Sequence, residues 1–331
     1  SLHDALPISF VDIEANIVEV SSGAMAWGDY DGDGDLDLAL SGITASSDKI
    51  SKIYRNDDGI FVDTDSPLTG VSYGDLAWGD YDNDGDLDLA LSGDGRFILY
   101  TIIYLNTDNT FSETISLEGL SESALNWGDY DNDGDLDLLA AGRNIDLTPR
   151  TIIYQNQNNT FVDTEAILPG VSFGHAEWGD YDHDGDLDIL LVGDTGNSEY
   201  ISTVLRNDGD GFTDTQAYLP QVTFGVAKWA DVDGDSDLDV LVTGLNEISS
   251  DFALTQYWLN TINPNRSPSA LRLSDTIVLQ SSGENTQVGL LSTEDADADN
   301  LHTYTLIEGE GSTHNSLFEI QENALIILNA H

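Results

Sequence analysis

The sequence predicts an all-β chain: a β-propeller of four-stranded blades, with five repeats present, followed by a partial β-sandwich. Three observations predict this. Tryptophans recur at Trp27, Trp78, Trp127, Trp178 and Trp229, separated by 51, 49, 51 and 51 residues. Each opens the same acidic stretch, from "WGDYDGDGDLDLALSG" at Trp27 to "WADVDGDSDLDVLVTG" at Trp229. No segment shows helical periodicity with caps, and a fixed period of about 50 residues with four short strands per unit is the pattern of stacked blades.

Each unit reads as four strands in order. "AMAW" forms the first, and the acidic loop makes a hairpin into the second, "LDLALSG". That second strand alternates weakly and is otherwise apolar, which suits burial on both faces. The third is "KIYRN" or its counterparts in "TIIYLN", "TIIYQN" and "STVLRN". Turns such as "NDDG" then lead to a fourth, "IFVDT" or "TFSET". "GVSYG" and "GVSFG" connect to the next tryptophan. At the start, "FVDI" (10–13) aligns with the outermost strand "FVDT" (61–64), while "QYWLN" (256–260) has no outer strand after it. The N-terminal strand is a candidate for closing that blade; further blades upstream would leave the same signature.

The domains follow from these signals. Residues 1–8, "SLHDALPI", read as a translated sequencing adapter, and the natural chain is expected to extend upstream. The propeller covers 9–262. "NPNRSPS" makes 263–269 an extended linker. Residues 270–331 form a second β-rich unit that is expected to lack its own end.

Composition narrows the function. The chain has 331 residues, 61 acidic against 10 basic, and a formal charge of −51. Such a polyanion repels nucleic acid and anionic membrane surfaces and attracts cations. There is no cysteine, so disulfides and thiolate chemistry are absent. No apolar run approaches the roughly 18 residues of a membrane span.

The acidic loops hold 25 of those acids. Two unit charges about 4 Å apart repel by roughly 4 kcal/mol at an effective dielectric near 20. A cation removes that cost. Aspartates at loop positions 1, 3, 5 and 9, with glycine at 6, are the spacing that wraps a short turn around a hard cation. Calcium suits it best, because it accepts six to eight oxygens in loose geometry. Position 7 is expected to offer its backbone carbonyl. The candidate ligands are Asp29, Asp31, Asp33, Asp35 and Asp37 in the first loop and Asp80, Asp82, Asp84, Asp86 and Asp88 in the second. Asp129, Asp131, Asp133, Asp135 and Asp137 form the third set; Asp180, Asp182, Asp184, Asp186 and Asp188 form the fourth. The fifth is Asp231, Asp233, Asp235, Asp237 and Asp239, where Ser236 replaces the sixth-position glycine and the weakest binding is expected. Position 12 is apolar in all five, so these are not EF-hands, which place a glutamate there between helices.

Five copies of D-x-D-x-D-G-x-x-D on this period resemble the FG-GAP/VCBS repeats of integrin α-chain propellers and their bacterial relatives. The resemblance implies a calcium-binding propeller, with the ion in the hairpin between the first two strands of each blade. The C-terminal "LSDTIVLQSSGENTQVGLLSTEDADADNLHTYTLIEG" (273–309) resembles a bacterial cadherin-like domain. There Glu284 resembles part of a Glu-Asn pair, and Asp295, Asp297 and Asp299 resemble D-x-D calcium ligands.

Other motifs have plainer explanations. The tryptophans are expected to pack between blades. "GVSYG" and "GVSFG" match a nucleophile elbow at Ser72 and Ser172, but an elbow must lead into a helix. Neither His175 nor His183 reads as catalytic. The chain is therefore expected to be a non-enzymatic, secreted or surface-anchored, calcium-binding adhesion or recognition protein with a protein or glycan ligand. Ligand contact is expected at the loops between second and third strands, which vary most: "ITASSDKI", "DGRFILY", "RNIDLTP", "DTGNSEY" and "LNEISSD". The alternative is a carbohydrate-binding or polysaccharide-degrading protein using the propeller as substrate domain.

Overall fold

The computed structural model describes residues 12–196, 199–234, 237–246 and 253–260, together with 270–273, 287–294, 318–321 and 324–327. The chain divides into two compact units, one of residues 1–181 and 185–260, the other of 182–184 and 261–331. No described residue is helical, and no helix is long and apolar enough to cross a membrane.

The first unit is a propeller of antiparallel blades. Blade 1 is β1 (Met25–Gly28), β2 (Asp37–Ile43), β3 (Lys49–Asp57) and β4 (Ile60–Asp63), in that spatial order. Blade 2 is β5 (Leu76–Gly79), β6 (Asp88–Asp94), β7 (Leu99–Thr107) and the first part of β8 (Thr110–Gly128). The 19-residue β8 runs on as the inner strand of blade 3, joining two blades into one seven-stranded sheet. Blade 3 continues with β9 (Asp137–Arg143), β10 (Pro149–Asn156) and β11 (Phe161–Asp163). Blade 4 is β12 (Ser172–Gly179), β13 (Asp188–Asp194), β14 (Tyr200–Asn207) and β15 (Phe212–Asp214). Blade 5 has three described strands, β16 (Thr223–Ala230), β17 (Asp239–Leu245) and β18 (Ala253–Trp258).

The candidate closing strand is not seen. Residues 10 and 11 lie outside the described residues, and 12–20 form no strand. Ile17, Val18 and Val20 instead pack on Leu38, Leu40 and Tyr54, covering apolar surface of blade 1. Of the second unit, β19 (Ala270–Leu273), β20 (Gln287–Glu294), β21 (Phe318–Gln321) and β22 (Ala324–Ile327) make an antiparallel sheet in the order β19-β20-β22-β21. Glu284, Asp295, Asp297 and Asp299 lie outside the described residues.

Second strands are buried along almost their whole length in blades 1 to 4, as their apolar runs predict. The cores lie between successive blades. One joins Ile53 and Ala39 of blade 1 to Leu76, Leu91 and Phe111 of blade 2. The tryptophans sit at these joints. Each stacks on the second-position tyrosine of the preceding loop: Trp78 on Tyr30, Trp127 on Tyr81, Trp178 on Tyr130 and Trp229 on Tyr181, at centroid distances of 5.8–6.3 Å. The Trp78 indole donates to the Ala26 carbonyl and that of Trp127 to the Ala77 carbonyl. Among the described residues no blade packs on Trp27 from the N-terminal side, and it is 51% exposed, against 7% for Trp178.

The glycine after each tryptophan completes the seat. A Cβ on Gly79 would stand 2.7 Å from the Trp127 ring, and Gly28 meets Trp78 at the same distance. In the fifth repeat both seat residues change, to Ala230 and Val232, and no repeat tryptophan follows Trp229. Gly79→Ala is expected to force the indole aside and cost about 1–3 kcal/mol, as overpacking does. Chemical denaturation checks it; an unchanged midpoint contradicts the seat.

Candidate metal centres

Each acidic loop joins the first strand of a blade to the second, and in the first four the backbone turns through two left-handed residues. The sixth position has φ of 97°, 98°, 95° and 96° at Gly34, Gly85, Gly134 and Gly185, so the expected glycine bend is present. The fourth position is left-handed too: Gly32, Asn83, Asn132, His183 and Gly234. Glycine and asparagine enter that region most readily, and the sequence fills it accordingly in four of five loops.

The first aspartate ties the loop. Asp29 accepts the N–H groups of Asp33 and Gly34 at 3.1 Å each. Asp80 and Asp129 repeat this with Asp84, Gly85, Asp133 and Gly134, and Asp180 accepts from Gly185. In the fifth loop Asp231 accepts from Gly234 at 2.7 Å. Asp235 and Ser236 lie outside the described residues. The fifth-position carboxylates of Asp33, Asp84 and Asp133 cap the N–H of Asp35, Asp86 and Asp135.

The ninth aspartate is a bracket. Asp37, Asp88, Asp137, Asp188 and Asp239 are buried. One oxygen accepts the second-position N–H of its own loop, from Tyr30, Tyr81, Tyr130, Tyr181 or Val232, at 2.9–3.2 Å. The other accepts the N–H of an asparagine at the end of the next strand, Asn56, Asn106, Asn156, Asn207 or Asn260, at 2.7–2.8 Å. The last four of these asparagines then reach across to the preceding blade. The Asn106 amide donates to the Tyr30 carbonyl, Asn156 to Tyr81, Asn207 to Tyr130 and Asn260 to Tyr181. The asparagine stands at the end of "YRN", "YLN", "YQN", "LRN" and "WLN", a signal visible in the sequence. Its partner lies 75 or more positions away, so its role is not.

Carboxylate oxygens converge in every loop. The groups are Asp29, Asp31 and Asp33; Asp80, Asp82 and Asp88; Asp129, Asp131 and Asp137; Asp180, Asp182 and Asp188; and Asp231, Asp233 and Asp239, with oxygens within 4.8 Å of one another. Among the described residues, positions 1 and 3 enter every group, position 9 four of them, position 5 the first alone, and position 7 none. At that separation two charges repel by roughly 3 kcal/mol at an effective dielectric of 20. The effect shows in the acidities. Burial, then the neighbouring charge of Asp33 or Asp84, raises Asp31 and Asp82 above the ordinary carboxylate range. Burial pushes Asp88 and Asp137 up to about 7 despite their backbone hydrogen bonds. The Asp82 Oδ1 is buried with no hydrogen-bond partner. A buried acceptor that no protein donor satisfies, inside a carboxylate cluster, fits a cation. The donors are oxygens throughout, the set that hard divalent ions prefer. These repeated triads can hold a metal ion.

The seventh-position carboxylates of Asp35, Asp135 and Asp186 reach neighbours outside their own loops. The Asp35 Oδ2 accepts the Asp58 N–H at 2.7 Å. Between blades, the Asn83 amide donates to Asp135 Oδ1 at 2.9 Å and to the Gly134 carbonyl at 3.3 Å. Asn132 repeats this with Asp186 and Gly185 at 2.9 and 3.2 Å. The fourth position of one loop thus grips the sixth and seventh of the next. Gly32 has no side chain for such a bridge. Asn83→Gly keeps the left-handed backbone and removes the grip. It is expected to weaken cation binding at the third loop about two- to tenfold, the value of one or two hydrogen bonds. Asn132→Gly should do the same at the fourth and leave the first alone. Calorimetry on both variants checks this; equal effects on all loops contradict it.

The serine motif has a structural cause. Ser72 and Ser172 are buried, and each bridges to a second-strand residue, Asp94 or Asp194, with no helix following. The glycines mark close crossings. A Cβ on Gly70 would stand 2.1 Å from the Lys49 carbonyl oxygen, and on Gly74 1.8 Å from that of Ser92. His175 is half-buried on β12, and desolvation there, then the Lys228 charge, depresses its pKa to about 4. Since the unfolded value is 6.5, the unfolded chain alone binds the proton between those limits. Stability is therefore full above pH 6.5 and falls toward pH 4, by up to about 3 kcal/mol. His175→Ala, which installs the residue found there as Ala24 and Ala124 in other blades, should flatten this loss. Denaturation at pH 7 and pH 4.5 checks it; equal acid loss in both proteins contradicts it.

The blades and their loops define a repeat propeller with a carboxylate cluster in each hairpin. The FG-GAP-like repeat family matches residues 29–91, 80–140, 129–191 and 180–242, and the chain belongs to it. No curated protein matches the chain. Among solved structures it is similar to the six-bladed fucose-recognising lectin of Aleuria aurantia, with 12% identity, 73% of this chain and 79% of that one covered, and a TM-score of 0.43. It is similar also to the exotype rhamnogalacturonan lyase YesX, with 14% identity, 84% and 54% covered, and a TM-score of 0.46. An exo-β-1,3-galactanase from Phanerochaete chrysosporium, solved with galactose, shows 9% identity, 85% and 73% covered, and a TM-score of 0.41. The chain spans about half of the lyase.

Proposed function

We propose that this chain is a calcium-stabilised recognition module that works outside the cell and is not itself a catalyst. The observation that carries the reading is the recurrence of a converging carboxylate group in all five loops, with a buried, unsatisfied oxygen at Asp82. Positions 1, 3 and 9 would hold the ion, position 5 joining them in the first loop. When bound, calcium supplies the positive charge the clusters lack. Five ions would set ten positive charges against the formal −51. The chain's own residues do the rest. The ninth aspartate and the following asparagine pin each loop to two strands and to the preceding blade. One end of the propeller becomes stiff, and the variable loops at the other end are held for ligand contact. Extracellular modules bind calcium at about 10⁻⁴–10⁻³ M, a range matched to levels outside cells.

Calorimetric titration with calcium, after chelation, tests this. Expected are five sites, the fifth weakest. Absence of heat in the millimolar range overturns the reading. A glycan-binding role is favoured within it by a cleft between blades 1 and 2.

A further inference from the structure

We propose that this cleft is a binding site for a carboxylate-bearing sugar ring, a hexuronate, and so names the ligand class of the recognition module proposed above, on which it rests. It lies at the end of the blades away from the acidic loops, where β2 leads to β3 and β6 to β7. Its volume is about 370 Å³. That is near the low end of the roughly 300–1,000 Å³ of small-ligand pockets, room for one ring rather than a folded peptide.

The cleft is fastened in advance. Lys49 of blade 1 reaches Asp94 of blade 2, with Nζ 3.0 Å from both its carboxylate and its carbonyl oxygen. The β6–β7 tip is closed by the Gly95 N–H donating to the Ile98 carbonyl at 2.8 Å. Tyr100 lies against Gly95, where a Cβ would stand 2.2 Å from its ring.

The lining carries what an acidic sugar needs. Tyr100 and Phe97 offer aromatic faces for the C–H face of a ring, and Phe97 is 86% exposed. Asp48 offers an acceptor for hydroxyls. Arg96 supplies the counter-charge. Every other lysine and arginine of the five blades holds a carboxylate. Arg96 has no such partner among the described residues, in a chain with 61 acids to choose from. It stands on a left-handed backbone with φ of 28°, at the cleft lip. A guanidinium without a carboxylate partner, in a cleft that two aromatic side chains also line, selects a planar carboxylate on a ring-shaped ligand.

The overall negative charge does not forbid this. The seven residues of β6 separate the cleft from the acidic loop, a span of about 23 Å at 3.3 Å per residue. That is nearly three Debye lengths of about 8 Å at physiological ionic strength.

The test is calorimetry on the calcium-loaded chain with digalacturonate, against neutral galactobiose and a glutamate-rich peptide. Digalacturonate is expected to bind, with affinity falling at least tenfold in Arg96→Ala and about fivefold in Phe97→Ala. Both side chains are exposed, and calcium-dependent melting should be unchanged in both variants. No digalacturonate binding with intact calcium-dependent melting overturns the cleft and leaves the metal reading standing; loss of that melting effect in the wild type overturns the latter. Equal binding of galactobiose, unaffected by Arg96→Ala, or preference for the peptide, overturns the uronate assignment.

Discussion

Removal of calcium is expected to lower the melting temperature by roughly 20–40 °C. A ligand that binds the folded chain alone stabilises it by about 2.7 kcal/mol per site at a hundredfold excess over its dissociation constant. Four well-formed loops at about 10 mM calcium reach that excess if each binds near 10⁻⁴ M. A folding unit of this size shifts by about 2–4 °C per kcal/mol. Magnesium should give a much smaller shift, because it demands a tight octahedron and keeps its water. The comparison is a thermal melt after exhaustive chelation, repeated with each ion restored. A midpoint that stays within a degree contradicts occupancy of the loops.

Asp88→Ala should destabilise the chain even without calcium. Its carboxylate is 0% exposed and accepts two backbone N–H groups, from Asn106 at 2.7 Å and Tyr81 at 3.2 Å. Alanine leaves both donors buried and unmatched, at about 1–3 kcal/mol each. Asp84→Ala is the contrast. That residue is exposed and caps one loop N–H, from Asp86, so in chelator it should cost about 0.5 kcal/mol, as surface changes do. Urea denaturation of both variants in chelator separates the buried bracket from an exposed loop cap. Equal losses would mean the ninth aspartate has no structural role beyond the ion.

Much of this architecture is legible in the sequence because its signals are local and repeated. The tryptophan period gives the blades, and the aspartate spacing gives the loops. Burial of the second strands follows from their apolar runs. What is not legible depends on distant partners. Asn106 is an ordinary strand-end asparagine until the Tyr30 carbonyl, 76 positions back, comes beside its amide. Asn83 looks like a permissive turn residue, and its bond to Asp135 appears only once blades 2 and 3 are stacked. The fusion of two blades through β8 also escapes local reading, since "TFSETISLEGLSESALNW" differs from "TFVDTEAILPGVSFGHAEW" mainly in what it lacks, a proline before the glycine. The sequence shows the ninth aspartates only as candidate metal ligands; their second duty needs the third strand in place.

The indole and the amide that every blade after the first lends to its predecessor bear on how such chains grow and can be cut. A blade lifted out alone would carry a tryptophan without its tyrosine and an asparagine without its carbonyl. The smallest portable fragment is therefore a couple, and gene duplications or grafts that respect the joint, rather than the repeat boundary, are the ones that should yield soluble products.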